Sequence, residues 1–300
     1  MDIHGVGTYF PHYFGDVDHF ALFLAEHKLQ ALTESNKEGV AYRKGIYLTH
    51  VEDRNGERHF KLLRCSTNFQ GPTEGFSPTD LSILDKVNAT ARELFENPAE
   101  LNHVLAQVYY NHHIDGKDRK AKIASHSDKT KDMPENGVMV FCTFYNKEEL
   151  SSGKYRSDAK ALTKLRFRLK EQVAGIDEEK MPKTFDVVLQ QGSAFFMNLN
   201  TNAIYTHEIV PPAIEAGFIP TRLGYVIRCS KQDAKFTDRT YIKDVLDNWV
   251  ELQPATDSGI TTLKELYRSE NSEVVRMRYP FIDFSLNSGD YLRPVINPTD

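Results

Sequence analysis

A histidine and an aspartate two residues apart, His126 and Asp128 in Ala-Ser-His-Ser-Asp-Lys, are the stretch of this sequence best suited to chemistry. On an extended backbone, residues i and i+2 point the same way and lie roughly 6–7 Å apart, so one ion can be held by both side chains. A third ligand must come from elsewhere. His207, in Ala-Ile-Tyr-Thr-His-Glu-Ile-Val-Pro, sits late in another strand-like run and is the best placed candidate. Two imidazoles and one carboxylate on one face form the triad of non-heme Fe(II) oxygenases, which leaves positions open for a co-substrate and O2. A second pair, His113-Ile114-Asp115, leads into Gly116 and a hydrophilic loop; His126-Ser127-Asp128 instead precedes a turn at Pro134 to Gly137 and an apolar run to Tyr145. The alternative for His126 and Asp128 is a hydrogen-bonded surface pair that holds no ion.

Fifteen residues after His207 begins Arg222-Leu-Gly-Tyr-Val-Ile-Arg228. Its period of two places Arg222, Gly224, Val226 and Arg228 on one face and Leu223, Tyr225, Ile227 and Cys229 on the other. An arginine on the inner wall of a β-barrel is costly unless an anion meets it. The two arginines stand ~20 Å apart along the strand, and their long side chains lean toward one another. That suits a small dicarboxylate chelating iron at one end and meeting an arginine fork at the other. Gly224 between them is expected to leave space for this ligand. A surface ladder of salt bridges is the competing explanation of the two arginines.

These residues need walls to stand on. Asp16 to Ser35 reads as an amphipathic helix, and Ala41 to Phe69 as strands broken by the hairpin turn Asp53-Arg54-Asn55-Gly56. Ser77-Pro78-Thr79-Asp80 has the capping serine, early proline and N3 acid that start a helix, here carried to about Asn97 before Pro98. His103 to Tyr110, Gly137 to Tyr145, Thr184 to Met197, Ala203 to Val210 and Thr221 to Cys229 have strand character. The segment 146–183 interrupts them with an expected helix, its stripe Leu162, Leu165, Leu169 and Val173, its like-charge row Lys160, Lys164 and Arg168. Helices are expected over Tyr241 to Leu252 and Ile260 to Arg268. The fold class is therefore α+β: a double-stranded β-helix, or jelly roll, over residues 1–230 with flanking helices and a helical insertion at 146–183, and a packed C-terminal extension at 231–300.

Taken in order, His126-x-Asp128, His207 and Arg222-x5-Arg228 resemble the AlkB-like branch of the Fe(II)/2-oxoglutarate dioxygenases, over about residues 9 to 230. The likeness includes the helices at 16–35 and 81–97, the run Val104 to Asn111, and Gln190, Gly192, Ser193 and Met197 ahead of the distal histidine. The resemblance implies iron bound by His126, Asp128 and His207, 2-oxoglutarate whose distal carboxylate meets Arg222, Arg228 near its metal-bound end, and Tyr109 as a further co-substrate contact. The sequence departs from that family at Gln107, where an asparagine is usual, in a longer loop between Tyr109 and His126, and at Lys129-Thr130-Lys131, where acids are usual and one helps hold the substrate base. Met133 to Gly137, Val140 to Thr143 and Pro220-Thr221-Arg222 also look like short pieces of the TET and JBP hydroxylases.

Composition bounds the rest. The 300 residues can bury a substantial core, and a net charge of −5 leaves no global basic footprint. Nucleic-acid contact would have to be local, through the stretches 117–131 and 154–170. Cys65, Cys142 and Cys229 read as reduced core residues. No run resembles a secretory signal or a membrane span, which points to a cytoplasmic or nuclear protein. The family resemblance favours hydroxylation or oxidative demethylation of a modified base in nucleic acid, single-stranded or flipped out. The alternatives are a dioxygenase acting on a protein side chain or small metabolite, and a non-catalytic jelly-roll binding module.

Overall fold

The computed structural model describes residues 1–33, 40–65, 69–153, 160–173 and 181–297. Strands dominate. Val138–Tyr145 lies at the centre of a nine-stranded sheet, between Ser193–Asn198 and Arg222–Arg228. The sheet continues through His103–Tyr109 and Val40–Thr49 to an edge at Gln30–Thr33, and on the other side through Gly7–Phe10. A four-stranded sheet, in the order Ile123–His126, Tyr205–Val210, Lys164–Leu169, Thr184–Val188, stacks on one face of it. Phe167 against Phe195 at 5.3 Å and Phe141 against His207 at 5.2 Å are among the contacts that join the two.

Alternation along each central strand divides its residues between two cores. Val138, Val140, Cys142 and Phe144, with Leu223, Tyr225, Ile227 and Cys229, face the helices His19–Glu26 and Pro78–Leu94. Met139 and Phe141, with Tyr109 and Val226, face the small sheet. The expected two-face reading of Arg222 to Arg228 is thus observed. The Pro78–Leu94 helix starts with the full capping box of Ser77 and Asp80, as its sequence suggested. Asn55 and Gly56, both at positive φ, make the turn joining Val51–Arg54 to Glu57–Leu62.

Three expectations fail here. Residues 146–183 hold no long helix among the described residues: Lys164–Leu169 is a strand paired on both sides, with Thr184–Val188 and Tyr205–Val210. Leu165, Phe167 and Leu169 satisfy period two as well as they satisfy helical spacing, and two flanking strands decide between them. Tyr241 to Leu252 is a hairpin of Thr240–Lys243 and Trp249–Glu251. The helix expected over 16–35 is shorter, His19–Glu26, and the chain then turns into the edge strand Gln30–Thr33.

Nor does the chain divide cleanly at residue 230. Gln232–Phe236 pairs with Glu57–Leu62 within a five-stranded sheet, so residues 51–62 and the C-terminal part share a core of Val51, Phe60, Leu62, Ala234, Ile242 and Leu252. The helix expected at 260–268 is present as Asp257–Ser272. No helix among the described residues is long and apolar enough to cross a membrane.

Candidate metal centre

Register brings the two histidines together. In the antiparallel pairing of Ile123–His126 with Tyr205–Val210, His126 and His207 are direct cross-strand partners, their rings 4.5 Å apart. Asp128 lies two residues beyond the strand end, and its Oδ1 stands 3.5 Å from His126 Nε2 and 4.0 Å from His207 Nε2. One donor atom from each of the three falls within 4.8 Å of the others. A cation about 2.1 Å from each donor needs them roughly 3 Å apart, which small side-chain rotations from this arrangement supply.

Electrostatics prepare the same donor set. Burial opposes charge on Asp128, but the Arg228 guanidinium, followed by the hydrogen bond from His126, holds its carboxyl well below the usual range. Arg228 Nε donates to Oδ2 at 2.7 Å, leaving Oδ1 toward the imidazoles. Burial, reinforced by the neighbouring His126, pushes His207 down to about 3, so this imidazole is neutral and able to ligate.

The loop that carries Asp128 is pinned along its length. Asn202 accepts from Asp128 N at 2.8 Å and donates back to Asp128 O at 3.0 Å. Ser127 N donates to Asn271 Oδ1 at 2.8 Å, and Thr130 donates through its backbone N–H and its hydroxyl to Glu270. Lys129 Nζ reaches Asn271 and the carbonyl of Tyr267. Asp132 takes three donors from buried Arg64, which also donates to the carbonyls of Ile282 and Phe284. The C-terminal helix and the segment after it therefore set the position of the candidate carboxylate ligand.

At the other end of the same strand, Arg222 is 2% exposed and lies 4.1 Å over the Tyr109 ring. Its Nε and Nη2 are buried without a partner, as is the hydroxyl of Thr143. Thr143 pairs across the strands with Gly224 and so faces the same cleft. A Cβ on Gly224 would stand 2.9 Å from Arg222 Nη1 and 3.0 Å from Tyr109 Cε2. The expectation that Gly224 clears space for a ligand is corrected accordingly: the space is filled by the guanidinium of Arg222 itself.

No family model and no curated protein matches the chain. Among solved structures, a match is the crystal structure of the non-heme alpha-ketoglutarate-dependent epimerase SnoN from nogalamycin biosynthesis, at 13% identity and a TM-score of 0.44, over 76% of this chain and 80% of that chain.

All three residues expected to bind metal meet in one place, with Arg228 against them and Arg222 on Tyr109. Tyr109 differs in one respect: its hydroxyl donates to Gln107 at 3.1 Å, and its ring is the platform for Arg222. The hydroxyl of Thr130 donates to Glu270 of the C-terminal helix. Lys164 and Arg166 pair with Asp186, and Arg168 with Glu208, across strands. Of the like-charge row expected on a helix, Lys164 and Arg168 are strand residues each met by an acid, and Lys160 lies before the strand. Residues 154–159 of the second basic stretch lie outside the described residues. Sequence reasoning missed Thr143, Asn202, Glu270 and Asn271; only Thr143 had a local signal, as a lone hydroxyl on the inward alternation of an apolar strand.

Proposed function

We propose that the protein is an Fe(II)- and 2-oxoglutarate-dependent oxygenase whose two stacked sheets form a double-stranded β-helix of the AlkB-like kind. One juxtaposition carries the reading: a neutral His207 beside His126 and an ionised Asp128, with the buried, unpaired guanidinium of Arg222 in the same cleft. His126, Asp128 and His207 would hold the metal, and Arg222 with Thr143 would receive the distal carboxylate of the co-substrate. When bound, Fe(II) and 2-oxoglutarate would use O2 to oxidise a substrate C–H bond, one oxygen atom going to the substrate and the other to succinate, with CO2 released.

The chain's own residues do the positioning. Arg228 keeps Asp128 ionised and directs one oxygen toward the imidazoles; Tyr109 stacks on Arg222 and fixes where an anion can dock. Phe141, 5.2 Å from His207, makes the wall beside the triad apolar and keeps water from it.

For the substrate, the family resemblance supports a modified base in nucleic acid, reached as a single strand or flipped out. The ion pairs of Lys164, Arg166 and Arg168 favour a second reading, a small metabolite or a protein side chain, because cations already met by acids release fewer counterions to a polyanion. A charge-reversing triple variant at these positions separates the two: loss of salt-sensitive oligonucleotide binding supports the first reading, and unchanged or absent binding supports the second.

Anaerobic titration with Fe(II) and 2-oxoglutarate tests the chemistry. A weak visible charge-transfer band is expected in the wild type, together with succinate on admission of O2. Both should vanish in His207→Ala. A folded His207→Ala protein that keeps its iron affinity and its succinate yield would overturn the proposal.

A further inference from the structure

The inner wall of the large sheet carries another buried cation, which the metal centre does not use. Arg43 on Val40–Thr49 is the cross-strand partner of Tyr109, and Tyr109 is the partner of Arg222. Direct partners share a face, so Arg43, Tyr109 and Arg222 form one row across three strands. Arg43 is 8% exposed, its Nε is buried without a partner, and among the described residues no carboxylate meets it.

Arg64 shows how this chain ordinarily buries an arginine. It is equally enclosed, and its donors are taken by Asp132, Gln232 and two backbone carbonyls. Arg228 has Asp128. Arg43 and Arg222 lack such partners, although burying an unpaired ion costs several kcal/mol. An arrangement of that cost is understandable where an anion arrives from outside.

One anion cannot serve both groups closely. Their strands are separated by His103–Tyr109, hence by roughly 10 Å, and Arg222 already occupies a face of the Tyr109 ring between them. Position then divides their roles. The small sheet lies over the central strands through Phe141–His207 and Phe167–Phe195, and its edge strand is Ile123–His126. Val40–Thr49 lies three strands from Val138–Tyr145 in the large sheet, on the side the small sheet leaves uncovered. Arg43 thus stands on the side of the sandwich that the small sheet does not cover, and Tyr47, four residues further along the strand on the same face, leads from it toward the centre that holds Arg228.

We infer that Arg43 is an anion-binding residue of the primary substrate site, and that the substrate carries a carboxylate or a phosphate ester which pairs with Arg43 while its reacting carbon lies at the triad. This rests on the oxygenase reading above and narrows its substrate to an anionic molecule. A nucleoside phosphate and an acidic metabolite both present the required group.

The test compares wild type with Arg43→Met and Arg43→Lys. Without ligand, Arg43→Met should melt a few degrees higher, because an unpaired buried cation has been replaced by an apolar chain of similar length. A clear fall would mean that Arg43 serves the fold, and the inference would be wrong. In anaerobic Fe(II) titrations, 2-oxoglutarate affinity should stay within twofold of wild type in Arg43→Met; a tenfold loss would place Arg43 in the co-substrate pocket and overturn the inference while leaving the oxygenase reading intact. Inorganic phosphate and acetate are then added, at constant ionic strength, to the wild type loaded with Fe(II) and 2-oxoglutarate under argon. A saturable thermal stabilisation by one of them is expected, at least tenfold weaker in Arg43→Met and partly restored in Arg43→Lys. Preference for phosphate identifies a phosphate ester and preference for acetate a carboxylate. No saturable response to either anion overturns the inference. Absence of the charge-transfer band in the wild type overturns the oxygenase reading itself.

Discussion

The central strands present two faces that treat polar groups in opposite ways. On the face toward the helices, the Tyr225 hydroxyl donates to Asp80 at 2.7 Å, and Asp80 also accepts from His27 Nε2 at 2.7 Å and from the backbone and hydroxyl of Ser77. Each of these groups has found its partner inside the protein. On the other face of the large sheet, Arg43, Thr143 and Arg222 each keep a buried polar atom without one, as does His207 on the small sheet opposite. Backbone, register and neighbouring strands are shared, so the difference lies in what each face is for. A closed network rigidifies a core, whereas buried polar atoms left open are tolerated where something else is to complete them.

The largest effect is expected on the closed face. Asp80→Ala would leave a buried phenol unpaired and a buried imidazolium with only the longer contact to Glu74, and chemical denaturation should register a loss of about 3–5 kcal/mol. If the loss were under 1 kcal/mol, the outer network would be no more committed than the inner one.

Acidity probes the same network more gently. Burial opposes protonation of His27, but its bonds to Asp80 and Glu74 prevail and raise it to about 9. With the folded value above the unfolded one near 6.5, the stabilisation is complete below pH 6.5 and is lost as pH rises through 9. It amounts to about 3 kcal/mol. Unfolding free energies measured from pH 6 to 10 should fall by that amount in the wild type and stay flatter in His27→Gln.

On the open side the sign reverses. Arg222→Met removes a buried cation without a carboxylate partner, at the loss of the guanidinium's contact with the Tyr109 ring, and should stabilise the ligand-free protein by about 1–2 kcal/mol. The same change should abolish measurable 2-oxoglutarate binding. Destabilisation with intact co-substrate binding would show that Arg222 belongs to the fold.

Much of the open face was legible because it depends on short-range alternation. His126-x-Asp128 and Arg222-x5-Arg228 declare their geometry through a period of two, whereas Arg43 drew no attention until its pairing with Tyr109 placed it on the same face. The capping box at Ser77 and the Asn55-Gly56 turn are equally local. What escaped depends on distant partners. Leu165 to Leu169 fits two periods, and only the strands on either side choose. The residues after 230 looked like an appendage, yet Asn271 and Glu270 hold the loop bearing Asp128 through contacts 140 or more positions apart in sequence. Neither has a sequence pattern that marks its role. The Asp244–Asn248 turn, with Asp247 at positive φ, closes the hairpin at 241–252.

The finest distinction between the faces is a single hydroxyl. Thr143 sits between Gly224 and Ser193 in register, its side chain toward the cleft and its Oγ1 without a partner. Thr143→Val keeps the β-branched shape that the strand favours and removes only that oxygen. On a closed face such a change strands a donor or acceptor and costs about 1–3 kcal/mol. Here no partner is abandoned, so the ligand-free protein should change by less than about 1 kcal/mol, in the stabilising direction. Affinity for 2-oxoglutarate should nonetheless fall severalfold, because the distal carboxylate loses one neutral hydrogen bond while keeping Arg222. Equal loss of stability in Thr143→Val and Tyr225→Phe would erase the distinction at the level of single atoms. A change in affinity without one in stability would assign Thr143 to the anion that Arg222 awaits.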